Sequence, residues 1–336
     1  MIRALRLLLG APSRQRMRWA RRHRLVWVAS ALVLALGALM LWPLSARFLG
    51  ADEIIVVAVG DMACDPTDPD MQRATRETGD RCRQRDVSDL AVAADPDVLL
   101  ALGDLQHEVP TEEAYRTVYG PSYGRLRDRT VPVFGNQEYK APEASSFLTY
   151  FGDLVRDPRG YWSQEIGRWH LVVLNSNCSI VTGGCGPGSP QQTWLAADLA
   201  ANGRRCVIAA WHHPRWSTGI AGPDDRTAAL YRTLYEHRVD LVLSGHEAHY
   251  QRFGPLNDAG RADELRGLRQ FVVGTGGQAH YRPEEPAVPG SPVAAYTDYD
   301  HHGVLVLNLR SESYSWWFRP LEAGRERVDE GSARCL

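Results

Sequence analysis

VLLALGDLQHE, residues 98–108, is an apolar run that stops at Gly103 and is followed at once by Asp104. A short run of Val, Leu and Ala bounded by glycine is typical of a buried β-strand. A carboxylate directly after such a strand can bind a metal ion, and His107 lies three residues further on. The stretch therefore predicts a strand that delivers metal-ligating side chains to one edge of a sheet.

The same arrangement occurs at four other places in the chain. Each time an apolar run ends at a small or aromatic residue, and Asp, Asn or His follows directly. Five such strand ends indicate side chains that converge on one polynuclear metal site, in which one carboxylate bridges two ions. We expect Asp104 to be this bridging ligand. The residues that follow the other four runs are Asp61, Asn136, His212 with His213, and His246.

The first fifty residues belong to a different physical class. Leu25 to Leu44 is an apolar run long enough to span a bilayer, and residues 1–24 before it contain eight arginines and no acid. The positive-inside rule then predicts a basic cytoplasmic tail, one transmembrane helix and an extracytoplasmic domain over residues 52–336. We favour an uncleaved single-pass anchor in the cell membrane because the run exceeds the length of a signal h-region. Secretion after signal cleavage is the alternative.

The charge distribution limits the partners of the domain. All 40 acidic residues follow Ala51, against 29 of the 38 basic residues, so the remainder carries a net charge of −11. A nucleic-acid-binding domain needs a basic face that replaces counterions. We therefore expect no nucleic-acid partner, and we expect anionic groups to be bound locally by metal.

Six cysteines fit an oxidising compartment. Cys64 with Cys82, and Cys178 with Cys185, each bracket a loop and are expected to form disulfides. Cys206 and Cys335 remain as a third pair, although Cys206 can equally be a buried free thiol.

Helix-like segments alternate with the strands up to residue 246, which predicts α/β layering. The last third contains strands joined only by turns and loops, which predicts a second, antiparallel or mixed sheet. The expected helices are Asp86–Ala94, Glu112–Tyr119, Ser145–Phe151, Ser189–Ala201 and Thr227–His237, and the expected late strands are Phe271–Val273, Val304–Leu309 and Tyr314–Arg319.

The order and context of these motifs resemble the calcineurin-like metallophosphoesterase family, including its purple acid phosphatase relatives. The pieces that carry the resemblance are GDMAC, LGDLQHE, GNQEY, NSNC, WHHPRWSTG, SGHEAHYQR and FVVGTGG. The resemblance implies a sandwich of two mixed β-sheets flanked by helices. It also implies two divalent or trivalent ions of Fe, Zn or Mn and hydrolysis of small-molecule phosphate esters.

By motif position, the resemblance assigns Asp104, Asn136, His212 and His246 to the second metal, and Asp61 with Asp104 to the first. Two family ligands of the first metal are missing, because Ala63 and Ala248 stand in their places. Purple acid phosphatases place a Tyr three residues after the bridging Asp, and here that position is His107. His107 is therefore expected to complete the first site, and His249 offers a less favoured ligand.

The resemblance also directs attention to residues that contact the substrate. Gln137 stands where the family has a His that assists the leaving group, and an amide cannot deliver a proton. We expect His213 to contact the substrate or support a ligand, since consecutive residues at a strand end point in opposite directions. Arg252 is expected to line the substrate side. The sequence thus leaves two hypotheses, a metal-dependent phosphoesterase and a non-catalytic binding or structural relative at the cell surface.

Overall fold

Two β-sheets carry the fold in the computed structural model, which describes residues 53–72, 81–203, 206–283, 291–322 and 324–336. These residues belong to the unit Asp52–Leu336. In this part of the chain no helix is long and apolar enough to cross a membrane. The expected anchor, Leu25 to Leu44, lies outside the described residues.

The first sheet has the strand order β13-β12-β11-β1-β2-β3. Strand β1 pairs in parallel with β2, and β2 in parallel with β3, whereas β11 adds to the other side of β1 in the antiparallel sense. Its strands are β1 (Ile54–Val59), β2 (Val98–Ala101), β3 (Thr130–Pro132), β11 (Gly303–Leu309), β12 (Ser313–Pro320) and β13 (Val328–Arg334).

The second sheet has the order β10-β8-β9-β7-β6-β5-β4, with a parallel centre formed by β5, β6, β7 and β9. The two sheets share one core, in which the Tyr250 and Phe318 rings stack with centroids 4.1 Å apart. Its strands are β4 (Trp162–Ile166), β5 (Trp169–Val173), β6 (Cys206–Ala210), β7 (Leu241–Ser244), β8 (Tyr250–Leu256), β9 (Leu268–Val273) and β10 (Tyr296–Asp298).

Two mixed sheets with helices confirm the predicted fold class, but the late strands are distributed differently from the prediction. Strand β9 joins the second sheet between β7 and β8, whereas β11 and β12 extend the first sheet. The reason is the free side of β1, which β11 covers over the register Ile54 to Ala58. The last third of the chain therefore completes both sheets and does not form a sheet of its own.

The five expected helical segments are present within a few residues of the predicted bounds, although 115–119 forms a π-helical turn. The start of helix α5 could be predicted from sequence because Ser and Pro are typical of a helix N-terminus. The Ser189 hydroxyl accepts a hydrogen bond from the Gln192 amide, and Pro190 occupies the first turn. The α-helices are α1 (Pro69–Gln72), α2 (Gln84–Ala93), α3 (Glu112–Ala114), α4 (Ser145–Phe151), α5 (Pro190–Ala201) and α6 (Ala228–Glu236).

All six cysteines form disulfides. Cys64 pairs with Cys82 and Cys178 with Cys185, as expected from their spacing. The open alternative for Cys206 is resolved, because it pairs with Cys335 across a sequence separation of 129. This bond ties the segment after β13, in the first sheet, to β6 in the second.

We expect the double change Cys206→Ser and Cys335→Ser to lower the free energy of unfolding by about 2–5 kcal/mol. In the chain-entropy account a longer closed loop restricts the unfolded chain more, so the loss should exceed that of a Cys178→Ser and Cys185→Ser control, whose separation is 7. Denaturant unfolding of both variants measures the difference. An equal or smaller loss for the long-range pair contradicts the prediction.

Candidate metal centre

The ends of β1, β2, β7 and β9 meet where the two sheets come together. The Gly60 amide donates to the Val273 carbonyl at 2.8 Å, and the Asp61 amide donates to the Gly103 carbonyl at 3.1 Å. The His246 amide donates to the Asp61 carboxylate at 2.7 Å. Backbone contacts between loops therefore bring together the residues that the sequence pattern singled out.

Three candidate ligands adopt a backbone conformation that non-glycine residues rarely occupy. Asp61, Asp104 and His246 have φ angles of 56°, 52° and 69°. Such conformations cost free energy and cluster at functional sites, where the surrounding structure enforces them. Gly103 before Asp104 cannot carry a side chain, because a Cβ there would lie 2.6 Å from His212 Nδ1. The backbone is thus bent sharply at the strand ends in order to turn these side chains inward.

Asp104, His212 and His246 provide one set of converging donor atoms, to which the sequence adds Asn136 on the loop after β3. His212 Nε2 lies 3.2 Å from Asp104 Oδ2 and 3.2 Å from His246 Nδ1. Asn136 Oδ1 is buried and has no hydrogen-bond partner among the described residues. A buried amide oxygen without a donor is costly unless a cation or another donor meets it. Oxygen and imidazole donors of this kind fit Zn, Mn or Fe ions.

A hydrogen bond from Nδ1, the ring nitrogen that does not face Asp104, fixes the orientation of His212. Its Nδ1 donates to the Leu102 carbonyl at 2.8 Å, which leaves the Nε2 lone pair directed at Asp104. Burial alone would lower the pKa of His212, but the charge and hydrogen bond of Asp104, together with the Asp61 charge, outweigh burial and raise this pKa to about 9. A proton and a cation therefore compete for Nε2.

Asp61, Asp104 and His107 form a second group, whose ligand atoms lie within 4.8 Å of one another. His107 Nε2 is 3.6 Å from Asp104 Oδ2, while Nδ1 faces the Ala63 carbonyl at 3.3 Å. Burial raises the pKa of Asp61 to about 7; the His212 charge opposes this rise and the Asp104 charge adds to it. The three side chains fit a cation, because two buried carboxylates repel each other unless positive charge lies between them.

The structure accounts for one of the two missing family ligands. Ala63 is fully buried, and its carbonyl accepts hydrogen bonds from both the main chain and the ring of His107. His107 therefore lies against the position where many family members carry a histidine. Ala248 has no comparable replacement nearby: its carbonyl accepts from His280 Nδ1 at 3.1 Å, and His249 is not part of either ligand group in the described residues.

The glutamate of the GNQEY motif is a site residue that the sequence reasoning missed. The Glu138 carboxylate is fully buried and accepts from the amides of Asp104, Leu105 and Gly135 at 2.9, 2.9 and 2.6 Å, and from the Tyr115 hydroxyl at 3.2 Å. It holds the loop after β2 against the loop after β3. An acid three residues after Gly135 is the local signal that could have revealed this capping role.

Gln137 and His213 lie at the edge of the ligand groups. The Gln137 amide nitrogen of the main chain donates to Asp104 Oδ1 at 2.8 Å. The ring of His213 lies 4.3 Å from that of His246, centroid to centroid, and its Nδ1 is 2.8 Å from the Ser176 hydroxyl. His213, His212 and His246 also form a third group of possible metal ligands. Ser176, from the NSNC motif, is a second residue that the sequence reasoning left without a role.

Arg252 is placed differently from the expectation. Its guanidinium makes a bidentate ion pair with Asp329, at 2.6 Å for the shortest contact, and lies over the Trp316 ring. The Tyr250 hydroxyl donates to the same carboxylate at 2.8 Å. The side chain thus joins β8 to β13 between the sheets, and we assign it no substrate contact.

Comparison with known proteins agrees with this fold. The family model "Calcineurin-like phosphoesterase" matches residues 55–250, well over half of the chain. The chain belongs to this family. The match begins in β1 and ends in β8, so it contains every candidate metal ligand of the chain.

Several purple acid phosphatases are among the relatives of this chain. Purple acid phosphatase 21 of Arabidopsis thaliana is 26% identical over 266 residues, covering 72% of this chain and 56% of that protein. An uncharacterised protein of Mycobacterium tuberculosis is 30% identical over 189 residues, covering 44% of this chain and 35% of that one. The chain thus spans only part of the length of these relatives.

Solved structures confirm the fold. A purple acid phosphatase from yellow lupin seeds matches with a TM-score of 0.61 at 17% identity, covering 84% of this chain and 54% of that one. GAP50, described as the anchor in the inner membrane complex of Plasmodium, matches with a TM-score of 0.59 at 13% identity, covering 84% and 89%. These likenesses concern the fold alone.

We expect Glu138→Gln to weaken metal binding about 10–100-fold, because it disturbs the hydrogen bonds that position Asp104. Titration of the purified full chain with Zn²⁺ or Mn²⁺ by calorimetry measures the change. Tyr115→Phe is the matched control, since it removes one donor to Glu138 and keeps the three backbone bonds. Equal metal affinity in the Gln variant and the unaltered chain would contradict the positioning role of Glu138.

Proposed function

We propose that this chain hydrolyses phosphate esters at a centre of two metal ions held by Asp61, Asp104, His107, Asn136, His212 and His246. The observation that carries the proposal is the position of Asp104. Its Oδ2 lies 3.6 Å from His107 Nε2 and 3.2 Å from His212 Nε2, between the two ligand groups. A carboxylate in this position is what a bridged pair of ions requires.

When bound, two such ions lower the pKa of a water molecule and stabilise the phosphoryl oxygens. The protein residues around them supply hydrogen bonds rather than protons. Burial, together with the charges of His212 and His246, lowers the pKa of His213 to about 2, so its imidazole is neutral. Gln137 is an amide. Neither residue is a proton donor for the leaving group, so substrates with acidic alcohols should be favoured.

The location of the domain is part of the same proposal. We propose that residues 25–44 anchor the chain in the cell membrane, with residues 52–336 on the extracytoplasmic side. The three disulfides support an oxidising compartment for the domain.

A non-catalytic role at the cell surface is the second candidate. Ala63, Ala248 and Gln137 favour it, since each replaces a side chain that contributes to activity in the family. One structural neighbour, GAP50, is described as an anchor. In this case the fold would be retained as a binding or structural module, with one metal ion or none.

Metal content and turnover separate the two candidates. We expect the purified full chain to contain two metal ions and to hydrolyse an activated aryl phosphate monoester or diester, measured by elemental analysis and product release. Asp104→Asn should abolish turnover because it removes the bridging charge, whereas Asp128→Asn should leave it unchanged, since that side chain is 97% exposed. A metal content of one ion or none per chain, together with no turnover, would contradict the proposal that the chain is an enzyme.

The variant Gln137→His tests whether residue 137 faces the leaving group of the substrate. A positioned general acid typically contributes about 10²–10⁴ in rate, and it matters most when the leaving alcohol is a weak acid. We therefore expect the variant to hydrolyse alkyl phosphates at least about tenfold faster, with little change for nitrophenyl phosphate. Gln164→His, on β4, is the matched control. A uniform gain for all substrates would mean that Gln137 does not face the leaving group.

A further inference from the structure

Large apolar side chains are exposed on the loops that leave the candidate metal centre. Seven such residues occur among the described residues. Four of them follow strand ends that supply site residues, and we call these four the apolar collar. The collar consists of Val109, Ile180, Ile220 and Tyr281, which are 52%, 52%, 63% and 49% exposed.

Each collar residue is tied to the site by a short path. Val109 is two residues beyond His107, which limits the distance between their Cα atoms to about 7 Å. The Ile180 amide donates to the Asn177 carbonyl at 2.8 Å, in the loop where Ser176 contacts His213. These two residues therefore flank the site on the loops after β2 and β5.

The other two collar residues are tied to the segment around His246. The Ile220 amide donates to the buried carboxylate of Glu247, which also accepts from the Gly222 amide at 2.9 Å. Tyr281 adjoins His280, whose ring donates to the Ala248 carbonyl at 3.1 Å. The collar thus draws on four separate loops, each linked by the chain or by a hydrogen bond to a candidate ligand or its neighbour.

Three exposed cations on or near these loops, in the part of the chain that the structure describes, are already paired. Lys140 lies 2.9 Å from Glu108, Arg226 lies 2.7 Å from Asp224, and Arg282 lies 2.6 Å from Asp300. These pairs cancel in charge, within a domain whose net charge is strongly negative. The rim is therefore poorly suited to a second phosphate group, whereas its apolar side chains gain free energy when they are covered.

We propose that the collar binds the organic part of the substrate, and that this part is an uncharged, apolar alcohol. This inference rests on the proposed function, because the phosphoryl group of the same ester must lie at the metal centre. The substrate class is then a phosphate ester with one phosphoryl group and an apolar alcohol. Nucleotides and sugar polyphosphates do not fit this rim.

The test is the binding of n-alkylphosphonates, which carry an anion for the metal centre and cannot be hydrolysed as esters. Calorimetry of the metal-loaded full chain with methyl-, butyl- and octylphosphonate measures the contribution of the alkyl group. Each buried methylene should tighten binding about fourfold, and octylphosphonate should bind at least about 10²-fold more tightly than methylphosphonate.

Two double variants test whether the collar residues provide this gain in affinity. Ile180→Ser with Ile220→Ser should weaken octylphosphonate binding about tenfold and leave methylphosphonate binding unchanged. Leu265→Ser with Val293→Ser is the matched control, with 84% and 91% exposure. Leu265 lies shortly before the start of β9, at the opposite end of that strand from Val273. Val293 follows Pro292, which packs beside Gly260.

The outcomes separate this inference from the proposed function. If methylphosphonate binds but affinity does not rise with chain length, the inference is wrong and the metal-dependent hydrolase stands. Equal losses in the collar and control variants also overturn the inference. A chain that takes up no metal and binds no phosphonate overturns the proposed function, and the inference with it.

Discussion

Two aspartates, Asp61 and Asp104, are buried side by side in this protein, only 5% and 3% exposed. Burying one carboxylate is costly, and burying two in contact is prohibitive unless positive charge or hydrogen-bond donors accompany them. Much of the surrounding structure meets this constraint. His212 and His107 hold the pKa of Asp104 well below its usual range even though burial alone would raise it. The His246 amide also donates a hydrogen bond to Asp61, but burial still raises the pKa of that carboxyl to about 7.

The same constraint explains why neither sheet is sufficient alone. Asp61 and Asp104 follow strands of the first sheet, whereas His212 and His246 follow strands of the second. The two edges are joined by backbone hydrogen bonds at Gly60 and Val273 and by the bond from His212 to the Leu102 carbonyl. The left-handed backbone at three of the ligands is stable only because these contacts over-determine it. The candidate site is therefore a product of sheet packing and does not exist in any single loop.

The candidate ligands other than His107 could be singled out from sequence because each directly follows an apolar strand, and strand ends are local patterns. The sequence did not predict Glu138 or Ser176, whose roles depend on hydrogen bonds to loops that are distant in the chain. Arg252 was misjudged for a similar reason, since its partner Asp329 lies 77 residues away on β13. Local sequence patterns also could not predict that β9 and β11 join different sheets, because this depends on which strand edge remains unpaired. Contacts of long sequence separation thus account for most of the differences.

The departures from the family motifs are not spread evenly around the site. Asp104, Asn136, His212 and His246 are all present, whereas Ala63, Ala248 and Gln137 fall in the first metal site and beside the leaving group. In the proposed centre His107 takes the place of the ligand missing at Ala63, and its ring lies against the Ala63 carbonyl. If the proposed hydrolysis takes place, a centre altered in this way would still bind the phosphoryl group but would supply no proton to the departing alcohol from Gln137. Discrimination between substrates then rests more on contacts to the alcohol itself, which is where the exposed apolar side chains are found.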